Sequence, residues 1–210
     1  MAEPRGPAID FFFDCTCLWA YLAVAHLKAC PATAGATINW RPVVAGDVFR
    51  HVNAAAEWPM PEIKQAYYRR DAALWADFLD LPLLEDPPAA ADSRSCMLAC
   101  VTAGRWGLAE AFAREAMHDA FALGRDLGDR AVLADIWRQT ELADGLLEDC
   151  LVRADVAAEL EANAVELMAR GGFGVPSFLV GDAIYFGNDA VPLVERAVGD
   201  VIRLGRAGVL

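Results

Sequence analysis

The sequence predicts an α/β chain with strands at its two ends and helices between them: a β-α-β unit, a large all-helical insertion, and a closing β-β-α unit. Three observations lead there. A bulky apolar run, Ile9-Asp10-Phe11-Phe12-Phe13, stands near the start. A proline-led run and a second strand pattern, parted by Gly181-Asp182, stand near the end. The long stretch from Val43 to Gly171 shows helical spacing and no fixed repeat. These boundaries divide the chain into a discontinuous unit of residues 1–43 and 172–210 and an insertion of residues 44–171.

Residues 9–13 read as a buried strand, because a short continuous run of large apolar side chains suits a sheet covered on both faces. Residues 18–28 carry Ala, Leu and Tyr at helical spacing and stop before Pro31. Residues 36–41, Ala-Thr-Ile-Asn-Trp-Arg, alternate and are β-branched, which predicts a second strand. Strand, helix and strand so close together make a βαβ unit with parallel neighbours. Within the insertion, helices are predicted over 61–79, 93–106, 108–123, 132–140 and 155–170, with Asp or Ser near several starts and Gly or Pro near several ends. Asp126-Leu127-Gly128-Asp129 reads as a turn before a helix. At the far end, 175–180 opens at a proline, a position that strands tolerate. Gly181-Asp182 and residues 183–186 complete a hairpin, and residues 190–204 form an amphipathic closing helix.

Of the 210 residues, 56% are hydrophobic and 23% charged, and the net charge is −12. The apolar share exceeds the roughly 45–50% of an average globular protein, so the chain can build a core. The negative charge argues against a nucleic-acid partner or an anionic membrane surface, both of which need basic patches. The longest run without a charge, residues 15–27, is too short to span a bilayer, which takes about 20 apolar residues. The six cysteines, with no signal-peptide pattern at Met-Ala-Glu-Pro-Arg-Gly, point to a reducing compartment and a cytoplasmic location.

Chemistry gathers at two places. Asp14-Cys15-Thr16-Cys17-Leu18-Trp19-Ala20 ends the first strand and opens the first helix. A thiol at a helix start meets unpaired N–H groups and the positive end of the dipole, both of which favour the thiolate. Cys17 is therefore the expected reactive sulfur, with packing of both thiols beneath the helix as the plain alternative. Position 20 is alanine, so a C-x-x-C pair built on Cys17 has no resolving thiol. Cys15 is the remaining redox partner, although an extended Cys-x-Cys segment holds its Cα atoms about 7 Å apart, at the edge of disulfide reach. The second place is Gly174-Val175-Pro176-Ser177. A cis Val175–Pro176 bond, inexpensive only before proline, leaves the Val175 backbone free to pair with an extended peptide; a trans bond merely starts a strand.

In this order, at opposite ends of the chain, the two places resemble the thioredoxin fold with an inserted helical domain, as in DsbA-like proteins. Within that group, the run from Phe11 to Ala23 is similar to the opening of the 2-hydroxychromene-2-carboxylate isomerase and kappa-class glutathione transferase family, aromatic-Asp-x-x-Ser-Pro-aromatic-Ala/Ser-aromatic-Leu. Trp40-Arg41-Pro42-Val43, Val48-Phe49 and Asn53 match the segment after the second strand. Gly171 to Phe178 and Phe186-Gly187-Asn188-Asp189 match two further family motifs. The resemblance covers nearly the whole chain, and it implies a glutathione-dependent isomerase that acts on a small aromatic or pyruvate-bearing acid from ring degradation through a reversible glutathione adduct. It implies that Cys17 stands beside the glutathione sulfur and that Val175, ahead of Pro176, pairs with the cysteinyl backbone. Asn188 and Asp189 would hold the γ-glutamyl group, and Asn53 would lie near the ligand. Relatives are commonly homodimers.

The chain departs from the family at several positions. Cysteine replaces serine at 17 and leucine replaces proline at 18. Alanine stands at 190, where many relatives have arginine, and Asp92 falls near a family asparagine. A serine hydroxyl only donates to a thiolate, whereas a cysteine can attack, so a monothiol glutathione-linked oxidoreductase and a kappa-type transferase using Cys17 stand as alternatives. A binding module without turnover is a third. Trp19, beside Cys17, is a candidate wall of an aromatic-substrate pocket. Cys96 and Cys100, four apart, read as a buried helix face, and His26 as a surface or capping residue. His26, His51 and His118 have no metal-ligand spacing, and no metal site is expected. No phosphate loop or dinucleotide glycine fingerprint occurs.

Overall fold

A computed structural model describes residues 7–52, 61–87, 92–143 and 145–206. The strands are β1 (Ala8–Phe13), β2 (Thr37–Pro42), β3 (Ser177–Val180) and β4 (Ala183–Phe186), and they form one sheet in the order β2-β1-β3-β4. β1 pairs with β2 in parallel and with β3 antiparallel, and β3 and β4 close the hairpin. Strands from the two ends of the chain are thus neighbours, in the thioredoxin-like arrangement expected.

β1 is central, which explains its unbroken apolar character. Alternate side chains of a strand face opposite ways. Ile9, Phe11 and Phe13 join the main core with α1 (Leu18–Ala29), whereas Phe12 joins a second cluster with Val43, Val48, Val175 and Leu179. On the first face Phe11 stacks on Phe13 and on Phe178, each at 5.1 Å between ring centres, and Trp40 meets both Phe11 and Phe13 edge-on at 5.3 Å. The register produces this cluster, because Phe11 stands opposite Trp40 on one side and Phe178 on the other.

The insertion contains α2 (Ala45–His51), α3 (Glu62–Phe78), α4 (Arg94–Arg105), α5 (Ala109–Phe121), α6 (Arg130–Gln139), α7 (Leu146–Cys150) and α8 (Ala154–Ala169), and α9 (Val191–Arg206) closes the chain. The five helices expected in the insertion form within two residues of their predicted ends. α2 and α7 were not anticipated. Both are short: α2 begins with Ala45-Gly46, and α7 follows Gly145, whose φ of 85° suits glycine alone. Neither carries enough turns to show a period. Asp129 caps α6 by accepting from the Ala131 N–H, and Asp126 accepts from Gly128, as the turn reading expects. The 175–180 strand is shorter than expected. β3 begins at Ser177, after the cis Val175–Pro176 bond, and the Val175 carbonyl accepts from Cys17. Among the described residues no helix is long and apolar enough to cross a membrane.

Candidate functional site

The site is organised by one buried carboxylate at the end of β1. Asp14 Oδ1 accepts from the Thr16 N–H and the Thr16 hydroxyl, both at 2.9 Å, which folds residues 14–17 into a turn. Asp14 Oδ2 accepts from the Ala45 N–H at 2.9 Å and from the Ser93 hydroxyl at 2.7 Å. Ala45 is the first residue of α2, and Ser93 immediately precedes α4. A single side chain therefore ties the turn to the starts of two helices, whose positive ends suit a carboxylate. Burial nonetheless raises the Asp14 pKa above its ordinary value, outweighing these hydrogen bonds.

Cys17 stands immediately before α1, where its carbonyl receives the Ala20 and Tyr21 N–H groups. Its sulfur does not cap the helix. It donates instead to the Val175 carbonyl oxygen, 3.6 Å away and 158 residues distant in sequence. The two places singled out from opposite ends of the chain thus meet, and the Val175–Pro176 bond between them is cis. One expectation fails here. The helix start was expected to favour a thiolate, but burial pushes the Cys17 thiol up to about 12, with the Asp14 charge adding to the rise. The Ala20 and Trp19 amides pull the other way and do not prevail. Desolvation penalises the charged form more than two peptide dipoles reward it. At neutral pH, Cys17 is a hydrogen-bond donor.

Cys15 and Cys17 are not bonded to each other in this structure. All six cysteines are free thiols, and Cys15 is fully buried with its sulfur against Cys96 and Cys100 of α4. Burial and these two thiols raise its pKa well above the ordinary value. Cys96 and Cys100 are buried on the helix face, as expected, and among the described residues no cluster suits a metal ion.

The last predicted region lies next to the cis-proline loop. The Gly187 N–H donates to the Pro176 carbonyl at 2.9 Å, and Ser177 Oγ donates to the Gly174 carbonyl at 2.7 Å. Asp189 is exposed and available to a ligand. Asn188 is buried, with Oδ1 lying 3.3 Å from His26 Nδ1 and Nδ2 without a hydrogen-bond partner among the described residues. His26 is accordingly an interior residue of α1, against the surface position expected, and its ring packs on Trp75 at 5.3 Å. Helical spacing from Leu22 carries that signal in the sequence. Half-buried Trp19 meets Tyr68 of α3 edge-on at 5.8 Å and packs with Leu22 and Ala72, whereas Cys17 packs with the clusters around β1. Asn53 lies outside the described residues.

Comparisons with known proteins agree with this architecture. A family model described as a DSBA-like thioredoxin domain matches residues 8–199. A protein of Sphingobium xenophagum named 2-hydroxychromene-2-carboxylate isomerase is 30% identical over 200 residues, covering 91% of this chain and 98% of that one. A solved 2-hydroxychromene-2-carboxylate isomerase superposes with a TM-score of 0.83 at 22% identity, over 97% of this chain and 99% of that one. The cytosolic disulfide reductase DsbM of Pseudomonas aeruginosa, solved with GSH, superposes with a TM-score of 0.64 at 18% identity, over 95% of this chain and 99% of that one. At such identities the two structures speak for the fold.

Proposed function

The chain belongs to the DSBA-like thioredoxin domain family, alongside the 2-hydroxychromene-2-carboxylate isomerases, and on that premise we propose that it is a glutathione-dependent isomerase of that type. The observation that carries the reading is the contact between Cys17 Sγ and the Val175 carbonyl, made by a sulfur that stays protonated. A protonated thiol at the start of α1 does what a serine hydroxyl does there: it donates a hydrogen bond to an anionic sulfur and does not itself attack. Glutathione, when bound, would supply that thiolate as the nucleophile for reversible addition to a conjugated carbon of the substrate. The chain's own residues orient and stabilise. Cys17 donates from the helix start, the Val175 main chain pairs with an extended peptide, and exposed Asp189 accepts the γ-glutamyl ammonium. The same reading takes a small aromatic or pyruvate-bearing acid as substrate and expects a cytoplasmic homodimer.

The test is a pair of variants assayed with glutathione and 2-hydroxychromene-2-carboxylate. Cys17→Ser keeps a donor and is expected to keep isomerisation within a few-fold of the wild type. Cys17→Ala removes the donor and is expected to lower kcat on the order of 10²-fold, as when one donor to a developing anion is deleted. Equal loss in both variants, with glutathione found covalently on Cys17 of the wild type by intact mass, would replace this reading with the thiol oxidoreductase.

A further inference from the structure

A cavity of about 620 Å³ lies between α1, α5 and the segment after α3, and none of Cys17, Val175 and Asp189 lines it. α1 supplies Tyr21 and Lys28, two turns apart on one face, and α5 supplies Arg114 and His118, one turn apart. Leu81 comes from the segment after α3. That third wall is pinned to three helices. The Tyr21 hydroxyl donates to the Pro82 carbonyl at 2.8 Å. The Leu81 N–H donates to the Ala76 carbonyl and the Leu84 N–H to the Phe121 carbonyl, both at 2.9 Å. Tyr21 is fixed in turn by stacking on Phe121, with ring centres 5.3 Å apart. The cavity is therefore preformed, and a ligand entering it spends little binding energy on ordering its walls.

The chain carries a net charge of −12, yet the mouth of this cavity is cationic. Arg114 reaches Glu110 at 3.5 Å, an exposed pair one helical turn apart that is individually weak. Lys28 and His118 have no hydrogen-bonding or ionic partner among the described residues. Glu115 is the one acidic residue described in the lining. Lys28 and Arg114 against Glu115 leave a single positive charge, which suits a monoanion better than a phosphate dianion, and His118 adds a ring N–H donor. Behind the mouth the walls are aliphatic, with Val24, Leu81 and Met117, and the Tyr21 hydroxyl is already bonded. Such walls reward an unbranched alkyl chain through apolar burial and offer it no polar competitor. From Tyr21 to Lys28 α1 rises about 10 Å, the reach of an extended chain of about eight to ten carbons.

We infer that the cavity between α1 and α5 is a second binding site, which takes a medium-chain aliphatic carboxylate. The carboxylate sits at the mouth among Lys28, Arg114 and His118, and the chain runs inward along Val24, Leu81 and Met117. The site goes beyond the isomerase reading and does not rest on it. Binding there is non-covalent and leaves the Cys17 cleft free for glutathione.

The experiment titrates the full chain calorimetrically with decanoate, decan-1-ol and butyrate, with and without saturating glutathione. Two variants accompany the wild type. Lys28→Glu reverses an exposed charge at the mouth, and Ala25→Trp fills the cavity from the α1 side. The expected result is saturable binding of one decanoate per chain, weakened roughly tenfold by Lys28→Glu and abolished by Ala25→Trp. Decan-1-ol, which lacks the charge, binds the wild type more weakly than decanoate and is indifferent to Lys28→Glu. Butyrate, six methylenes shorter, binds more than about a hundredfold more weakly than decanoate. Glutathione leaves the decanoate Kd unchanged. Absence of saturable decanoate binding overturns the inference, as does equal affinity for decanoate and decan-1-ol or an unchanged decanoate Kd in Lys28→Glu. Displacement of decanoate by glutathione also overturns it, because the carboxylate then occupies the Cys17 cleft. Should Ala25→Trp fail to fold, as a lost thermal transition would reveal, Lys28→Glu and the decan-1-ol comparison decide the matter.

Discussion

Around β1 the interior is built of large rings. Phe11 lies between Phe13 and Phe178, and Trp40 closes the cluster edge-on. Around α4 it is aliphatic and thiol-rich, without a ring on the helix: Cys96, Met97, Leu98, Ala99, Cys100, Val101 and Ala103 are all buried there. The surfaces differ as well. The helical region carries arginine–carboxylate networks, with Arg105 reaching Asp155 at 2.6 Å and Glu159 at 2.8 Å, and Arg125 joining buried Asp119 at 2.7 Å. The contrast shows how the site is held. Stacked rings fix β1 against β3 through packing, independently of charge, and so fix the turn after β1 against the loop before β3. The Cys17–Val175 contact inherits that precision. The helical region contributes through its helix starts, and its outer ion pairs are individually weak.

This contrast can be broken or sharpened experimentally. The largest effect is expected from Phe178→Ala, which empties the centre of the stack and should destabilise the chain by about 3–5 kcal/mol in urea unfolding. A cost below about 1 kcal/mol would mean that the rings do not set the sheet's spacing. Asp14→Ala comes next. It strips the acceptor from two N–H groups and two hydroxyls, at a cost of about 1–3 kcal/mol, and it should disturb the turn and with it turnover. Little change in either measurement would deny that one carboxylate joins the two regions.

The smallest effect belongs to the ion pairs. Arg153 and Arg105 hold the Asp155 carboxyl well below its ordinary range. A depressed folded-state pKa stabilises the fold above the unfolded value, near 4, and that contribution is lost as pH falls through the folded value. The urea midpoint of the wild type should therefore drop more steeply from pH 6 to pH 3 than that of Asp155→Asn. Parallel curves would show that this network does nothing for stability.

Much of this was legible in local pattern. The Phe run of β1, the hairpin and five helices of the insertion follow from periodicity and turn residues, because those signals are carried within a few residues. Cys17 and Val175 stand out in the same way, one by its position at a helix start and the other by the proline after it. What misled was environment. The helix-start N–H groups and dipole were expected to favour a Cys17 thiolate, yet burial raises its pKa more than they lower it. Cys15 and Cys17 are two residues apart and looked like a pair, but one turns to α4 and the other to the Val175 loop. Asn188, expected near the γ-glutamyl group, lies buried with its Oδ1 against His26.

By itself, then, the sequence determined which segments become strands and helices and which backbone and sulfur groups are equipped for chemistry, since both are properties of short stretches of chain. Only the tertiary structure decided what those groups can do. Solvation and neighbouring dipoles at a given atom depend on which distant segments pack around it, and here that packing keeps a cysteine protonated and sets a buried asparagine against a histidine.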